Sequence, residues 1–124
     1  MGKRAVARAR ALIGTPFRLH GRDARGVDCV GLVALVHGRG DVPSGYALRT
    51  GDPAAIEAPL RRHGLRRRRA GARPGDVMLL QAGPAQLHLG IWTGASLVHA
   101  DAMLRRVVET PGEPRWPILS TWGR

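Results

Sequence analysis

Apolar residues near the start of the chain recur with the period of an α-helix. Residues 3 to 13 predict an amphipathic helix whose arginines lie opposite an apolar face formed by Val6, Ala9, Leu12 and Ile13. Gly14 and Pro16 predict the end of this helix, since glycine often follows a helix and proline cannot continue one. Residues 15 to 27 have no regular period and predict irregular structure punctuated by glycine.

A longer apolar run follows Asp28 and predicts the buried central helix of the fold. Asp28 is a good N-cap residue, because its carboxylate can accept hydrogen bonds from the free N–H groups of the first turn. Nearly every side of this helix is apolar, as is typical of a helix enclosed by other elements. Its apolar residues are Val30, Leu32, Val33, Leu35 and Val36. Gly38 predicts its end; residues 39 to 53 predict a loop, and residues 54 to 63 a short surface helix closed by Gly64.

After the turn signal "RPGD" at residues 73 to 76, the apolar pattern changes to that of short β-strands. Four such segments follow: "VMLLQ", "LHLGIW", "SLVHA" and "RRVVET". Turns at 83–85, 93–95 and 102–104 separate them and predict an antiparallel meander. The closing "PRWPILSTWGR" predicts an edge strand. Helices first and strands second indicate one α+β domain over residues 1 to 124.

Two histidines of the meander are predicted to be neighbours. Thr93-Gly94 is the expected centre of the hairpin turn, because glycine supplies the positive φ that such turns need. A hairpin centred there places His88 directly opposite His99, with their Cβ atoms about 4.5–5.5 Å apart. A register shifted by one residue would separate them. Gly90, beside His88 on this face, is expected to leave open space. Alternation sends three apolar residues to the opposite, core-facing side: Leu87, Leu89 and Ile91.

The three tryptophans differ in their expected positions. Alternation puts Trp92 beside the histidine face, where its ring is expected to form the floor of a substrate cleft. Trp116 and Trp122 lie in the closing segment, and we expect them to join the core or to cover the sheet edge.

Cys29 is the only cysteine of the chain, so no disulfide can form within it. It stands at the predicted start of the central helix, where backbone N–H groups and the helix dipole favour a thiolate. A thiolate beside two histidines is the arrangement of a thiol hydrolase, in which one imidazole serves as base and acid. The residues alone leave two other interpretations open: a core cysteine with structural histidines, and a zinc site built from Cys29, His88 and His99.

Five segments, in this order and spacing, resemble the NlpC-type cysteine peptidase family: "GTPFRLHG", "DCVGLV", "RPGDVMLL", "HLGIWTG" and "LVHA". The resemblance extends from about residue 5 to residue 101. Members of this family are papain-like enzymes that cut the stem peptides of peptidoglycan. The resemblance implies an α+β fold in which N-terminal helices, one bearing the nucleophile, pack on a C-terminal antiparallel sheet that bears the histidines. It implies no cofactor and no metal.

Carried over by position, the resemblance implies that Cys29 is the nucleophile, His88 the general base and His99 the third, orienting residue. The implied site of hydrolysis is the bond between D-glutamate and the diamino acid of the stem peptide. Substrate contacts are implied for Asp28, which in some members holds the free amine of the substrate, and are expected also from Phe17 and Gly21.

The chain departs from the family's usual pattern at two positions. Phe17 stands where a tyrosine usually begins a Tyr-x-x-Gly-Gly element, and Val30 follows the nucleophile in place of serine. The Phe17 form and the short layout resemble the branch associated with phages and gene transfer particles, which implies tail proteins as partners. Two other functions stay open: a structural role in tail-tip assembly with a weak or unused site, and a related thiol amidase or acyltransferase.

Basic residues give the chain a formal charge of +11, and all of them except Lys3 are arginine. The densest stretch, residues 61 to 73, predicts either a solvated helix end and loop or an anion-binding surface. No aromatic residue is interleaved with these arginines, so nucleic acid is not an expected partner. No apolar stretch is long enough to predict a membrane span. The basic start lacks a signal-peptide pattern, so we expect synthesis in the cytoplasm and action in a phage-like tail or the cell envelope.

Overall fold

The computed structural model describes residues 2–37 and 50–124. Gly38, the predicted end of the central helix, lies outside the described residues, as does the predicted loop from residue 39 to residue 49.

Within the described residues, the first half of the chain has three helices: α1 (Gly2–Ala11), α2 (Cys29–His37) and α3 (Ala54–Arg62). All three predicted helices are confirmed, and α2 is buried as expected. The apolar face of α1 is shorter than predicted, because the helix ends before Ile13 and leaves that side chain 43% exposed. The segment predicted as irregular contains a small hairpin that leads into α2, formed by β1 (Arg22–Asp23) and β2 (Gly26–Val27).

The second half of the chain forms a six-stranded antiparallel sheet. Its strands are β3 (Arg66–Arg67), β4 (Val77–Gly83), β5 (Gln86–Trp92), β6 (Ser96–Asp101), β7 (Arg106–Pro111) and β8 (Ile118–Gly123). The strand order is β3-β8-β4-β5-β6-β7, so the predicted meander β4 to β7 is confirmed. Together with the helices this is the expected α+β class.

The closing strand β8 is not at the edge of the sheet, as the sequence predicted, but between β3 and β4. Four consecutive residues of β4, Val77 to Leu80, are buried, so this strand needs a neighbour on each side. β8 supplies one of them and brings the fully buried Trp122 with it. The edge strand on this side of the sheet is instead β3, which is short, exposed and carries two arginines. Charged side chains protect such an edge from pairing with a further strand.

The position of β8 forces residues 112–117, which we call the strap, to cross the sheet. The strap joins β7 at one edge to β8, four strand spacings away, or about 19 Å at the usual spacing between strands. The seven peptide steps from Pro111 to Ile118 reach at most about 25 Å. The strap is therefore an extended segment with little slack.

The two faces of the sheet have different covers. The first, the helix face, packs against the helices through Val77, Leu79, Leu87, Leu89, Ile91, Val98, Ala100, Val107 and Trp122. The second, the histidine face, has a small apolar cluster of Met78, Leu80 and Leu97, on which the strap lies through Trp116. The predicted alternation of β5, with Leu87, Leu89 and Ile91 toward the core, is confirmed.

The register of the β5–β6 hairpin differs from the predicted one by two residues. Ile91 pairs with Val98 and Trp92 with Leu97, because the connection is a four-residue loop rather than a two-residue turn. The Thr93 hydroxyl closes this loop by accepting the N–H of Ser96 at 3.0 Å. A shift of two residues keeps every side chain on its face. The histidines are thus diagonal neighbours on one face and not directly opposite each other.

Candidate active site

Cys29 is the first residue of α2, and Asp28 caps the helix as predicted: its Oδ1 accepts the N–H of Gly31 at 2.8 Å. The thiol is buried at this helix start, because Cys29 is 2% exposed and belongs to the helix-face core.

Burial raises the pKa of the Cys29 thiol to about 12. The backbone N–H of Leu89 on β5 hydrogen-bonds the sulfur and opposes this rise, as do the N–H groups of Cys29 and Val30. The neighbouring charge of Asp28 adds to the rise. The expected lowering of the thiol pKa by the helix start is wrong for the free protein, because desolvation outweighs the N–H donors.

The two predicted histidines meet on the histidine face. His88 Nε2 lies 3.0 Å from His99 Nδ1, so their expected proximity is confirmed despite the shifted register. His99 Nε2 lies 3.4 Å from the hydroxyl of Thr110 on β7. One tautomer pair satisfies both contacts and suits a base: His88 donates from Nε2, and His99 donates from Nε2 to Thr110. The Nδ1 lone pair of His88 is then left for a proton.

Both imidazoles favour the neutral form. Burial, the largest cause, and the nearby His99 together lower the pKa of His88 to about 4, although the charge of Asp101 opposes the change. The pKa of His99 is also lowered, chiefly by burial, with Asp101 opposing and Arg115 contributing. Asp101 also closes the turn after β6 by accepting the N–H of Met103 at 2.8 Å.

The ladder between β5 and β6 stops before it reaches the histidines. Within the described residues these strands pair only at Ile91–Val98 and Trp92–Leu97. Beyond those pairs, the Leu89 N–H is directed to the Cys29 sulfur. The thiol thus lies where the two strands part.

One cleft of about 660 Å³ opens at this place. Cys29, His88 and His99 all line it, together with Asp28, Phe17 and Trp116. The fold therefore brings the three predicted catalytic residues to one cavity, the nucleophile from the helix face and the imidazoles from the histidine face.

Asp28 lines the cleft but is 1% exposed, and its carboxylate is already engaged. Besides the Gly31 contact, Oδ1 lies 3.3 Å from Arg22 Nη1, and Oδ2 accepts the N–H of His20 at 2.8 Å. Asp28 thus holds the segment before the helix in place. Phe17 lines the cleft as predicted.

Gly21 does not line the cleft, contrary to the prediction. A Cβ at Gly21 would collide with the carbonyl of Gly26, and the carbonyl of Gly21 itself lies against Gly31 of α2. This glycine is needed for close packing of the β1–β2 segment on the nucleophile helix. The open space expected at Gly90 is also absent, since a Cβ there would lie 2.6 Å from a methyl carbon of Leu97.

Trp92 and Trp116 have exchanged the positions predicted for them. Trp92 packs against the cluster of Met78, Leu80 and Leu97 and is not among the cleft residues. Trp116 lines the cleft, with its ring centre 5.2 Å from that of His88. The sequence contained no signal for this contact, because it depends on the route of the strap. Trp122 is in the core, as expected.

No group of three or more His, Cys, Asp or Glu side chains in residues 2–37 and 50–124 is arranged to hold a metal ion. None of the helices in these two ranges is long and apolar enough to cross a membrane.

Comparison with known proteins gives matches among solved structures. The NlpC/p60 domain of the peptidoglycan hydrolase SagA superposes with a TM-score of 0.63 at 26% identity, over 90% of this chain and 89% of that one. NlpC1 from Trichomonas vaginalis gives 0.71 at 18% identity, over 99% of this chain and 45% of that one. The chain has the NlpC/p60 fold. The resemblance read from the sequence is thus confirmed at the level of the fold.

A third match is the peptidoglycan hydrolase RipB from Mycobacterium tuberculosis, with a TM-score of 0.59 at 20% identity over 98% of this chain and 63% of that one. The chain spans less than half the length of the Trichomonas protein. No family model and no curated protein matches the sequence.

Proposed function

We propose that this chain is a cysteine peptidase that hydrolyses peptide bonds in the stem peptides of peptidoglycan. The observation that carries the proposal is the cleft that Cys29 lines together with a hydrogen-bonded pair of histidines. Support comes also from SagA and RipB, two peptidoglycan hydrolases that share the NlpC/p60 fold.

In the first half of the reaction, the sulfur of Cys29 attacks the peptide carbonyl while His88 takes the thiol proton on Nδ1. The carbonyl oxygen becomes an oxyanion, for which the backbone N–H at the start of α2 is the proposed donor. His88 then gives its proton to the leaving amine as the C–N bond breaks. His99 holds the other nitrogen of His88 throughout.

In the second half, a water molecule replaces the amine. His88 takes one proton from the water, and the hydroxide attacks the thioester carbonyl. The C–S bond breaks, the sulfur regains the proton from His88, and the product leaves as a carboxylic acid, which releases its own proton to the solvent. Atoms and protons therefore balance over the cycle, and no cofactor takes part.

The resting pair is neutral rather than a thiolate–imidazolium ion pair, since the pKa of Cys29 is raised to about 12 and that of His88 is lowered to about 4. We therefore expect slow alkylation of Cys29 by iodoacetamide at about pH 6, and proton transfer concerted with attack. The acid limb of kcat/KM should lie near pH 4, where His88 takes a proton and is lost as a base. A limb near pH 6.5 would contradict a desolvated base.

The proposed bond is the one between D-glutamate and the diamino acid. The test is digestion of defined murein fragments, followed by mass spectrometry of the products. The wild type should release fragments that end at this glutamate, and Cys29→Ala should release none. Cys29→Ser is the matched control, because it keeps a weaker nucleophile of similar size. Circular dichroism and the melting temperature of each variant verify that the fold is retained.

A structural role in tail-tip assembly makes the opposite prediction. Particles carrying Cys29→Ala would then assemble and infect normally, and the wild type would cleave no murein fragment. A thiol amidase or acyltransferase would instead lose activity on a lipid or small amide with the same substitution. We also propose that the chain has tail proteins as partners and acts in a tail or in the envelope. Purification of particles tests both points.

A further inference from the structure

Three aromatic rings meet edge to face at the wall of the cleft. The ring centres of His88 and His99 are 5.1 Å apart, with an angle of 88° between the planes. The Trp116 ring lies 5.2 Å from His88 at 75° and 5.5 Å from His99 at 89°. Each of the three pairs therefore has the T-shaped geometry that aromatic rings favour.

Trp116 is held in this position from several sides. The guanidinium of Arg115 lies 4.7 Å from the centre of its ring, a cation–π contact. The ring also packs on the cluster of Met78, Leu80 and Leu97. The next residue of the strap, Pro117, accepts the N–H of Gln81 on β4 at 3.0 Å. Because the strap itself has little slack, the ring cannot leave the histidines without breaking these contacts.

We infer, on the basis of the function proposed above, that Trp116 is a positioning residue for the histidine pair. The torsion between Cβ and an imidazole ring has broad minima, so one hydrogen bond restrains rotation of the ring only weakly. The Trp116 ring, which is in contact with both imidazoles, blocks that turn for both at once. His88 then keeps Nε2 on His99 and Nδ1 available to the thiol.

Trp116 also excludes water from the His88–His99 bond. Water admitted here would compete for the imidazole nitrogens and restore solvation of their charged form, which raises a pKa that burial has lowered. The other titratable or charged groups that line the cleft are His20, Asp28 and Cys29 before and at the start of α2, Asp101 at the end of β6, and Arg115 on the strap. Trp116 carries no charge of its own, so its removal acts through solvation, through the freedom of the rings and through the position of Arg115.

The first test needs no activity. Histidine-labelled protein carrying Cys29→Ala is titrated by NMR with Trp116 intact, with Trp116→Ala and with Trp116→Phe. We expect the midpoint of His88 to move up toward 6.5 in Trp116→Ala and to stay low in Trp116→Phe, which keeps a ring. Trp92→Ala is the matched control, because Trp92 packs on the same cluster, whereas the ring contacts of the two imidazoles are with each other and with Trp116. It should leave the midpoint unchanged.

The second test uses the active protein and murein fragments. Trp116→Ala should lower kcat about 10- to 100-fold, as expected for a misoriented base, with KM changed less than about 3-fold. Trp116→Phe should recover most of kcat, and Trp92→Ala should keep it. Should Trp116→Ala fail to fold, Trp116→Leu replaces it, since leucine retains an apolar cover and removes the ring.

An unchanged His88 midpoint in Trp116→Ala, or equal shifts in Trp116→Ala and Trp92→Ala, would overturn the positioning role. The failure of the proposed function has a different signature. If the wild type cleaves no murein fragment but the NMR shifts follow the expected pattern, the substrate assignment is wrong and the role of Trp116 in the site is supported.

Discussion

The helix face and the histidine face belong to one sheet but differ in what covers them. On the helix face, the side chains of five strands pack against the helices in a large apolar core. On the histidine face, only Met78, Leu80 and Leu97 are buried as a cluster, and a strap without regular secondary structure lies over them. Because apolar burial on the helix face provides most of the stability, the histidine face can hold two imidazoles.

The candidate site uses both faces. Cys29 packs within the helix-face core, while His88 and His99 project from the opposite face, and the two sets meet where β5 and β6 part. Stability and activity should therefore respond to different substitutions, although the residues concerned are close in sequence.

The largest expected effect comes from the histidines themselves. His88→Ala removes the base and should lower kcat/KM about 10³- to 10⁴-fold, since general acid–base catalysis contributes about 10²–10⁴ and the nucleophile also loses its activation. His99→Ala removes only the group that orients His88 and should cost about 10- to 100-fold. Steady-state kinetics on a murein fragment checks both. A larger loss in His99→Ala than in His88→Ala would reverse the proposed roles.

Adjacent leucines on β4 provide a direct test of the two faces. Leu79 and Leu80 are both 0% exposed, but Leu79 faces the helices, and Leu80 pairs with His88 on the other face. Leu79→Ala should lower the free energy of unfolding by the upper part of the usual 2–5 kcal/mol, because the large core cannot collapse into the cavity. Leu80→Ala should cost about 2 kcal/mol, because its smaller cluster can relax.

The same two substitutions should also differ in their effect on kcat. At a temperature well below melting, Leu79→Ala should retain kcat, whereas Leu80→Ala should lower it because the imidazole opposite loses support. Urea unfolding and kinetics on the same preparations measure both quantities. Equal losses of kcat in the two variants would mean that the faces are not independent.

The sequence alone predicted the helices, the meander and the face on which each residue of β5 lies, because these depend on local periodicity. It did not predict the position of β8. Strand order depends on which strands need two neighbours, and this emerges only when β4 is known to be buried on both faces. The route of the strap across the sheet follows from that strand order. The contact of Trp116 with the histidines therefore could not be predicted from the sequence.

The candidate site was predicted in part. The predicted proximity of His88 and His99 is confirmed, because both lie on the same face of the sheet. The predicted register is wrong, because the side chain of Thr93 closes a longer loop. The prediction that Cys29 is present as a thiolate is wrong for the free protein. A helix start favours a thiolate, but the burial that opposes it depends on tertiary packing around Cys29 and cannot be read from the motif.

A fall in pH should reduce the stability that the histidine face contributes and leave the contribution of the apolar helix face unchanged. The folded-state pKa of His88, about 4, lies below the ordinary value of 6.5. The unfolded chain therefore takes up a proton at a pH where the folded protein does not, and stability is lost as the pH falls from about 6.5 toward 4. The loss attributable to this residue is about 3 kcal/mol.

The measurement is the free energy of urea unfolding at pH 7, 5.5 and 4. His88→Gln should flatten this dependence relative to the wild type, while Leu79→Ala should shift the whole curve down without changing its slope. The same slope in His88→Gln and in the wild type would contradict a desolvated His88.

The smallest expected effect lies at the rim of the histidine face, at Thr110. Its hydroxyl is 3.4 Å from His99 Nε2, a long contact on an exposed residue, so it should contribute no more than a weak neutral hydrogen bond. Thr110→Val keeps the shape and should lower kcat about 2- to 10-fold, with the free energy of unfolding changed by less than about 0.5 kcal/mol. Thr110→Ser keeps the hydroxyl and should restore kcat. Equal kcat in the Val and Ser variants would place the end of the polar chain at His99, and the tautomer of His99 would then be fixed by its hydrogen bond with His88 alone.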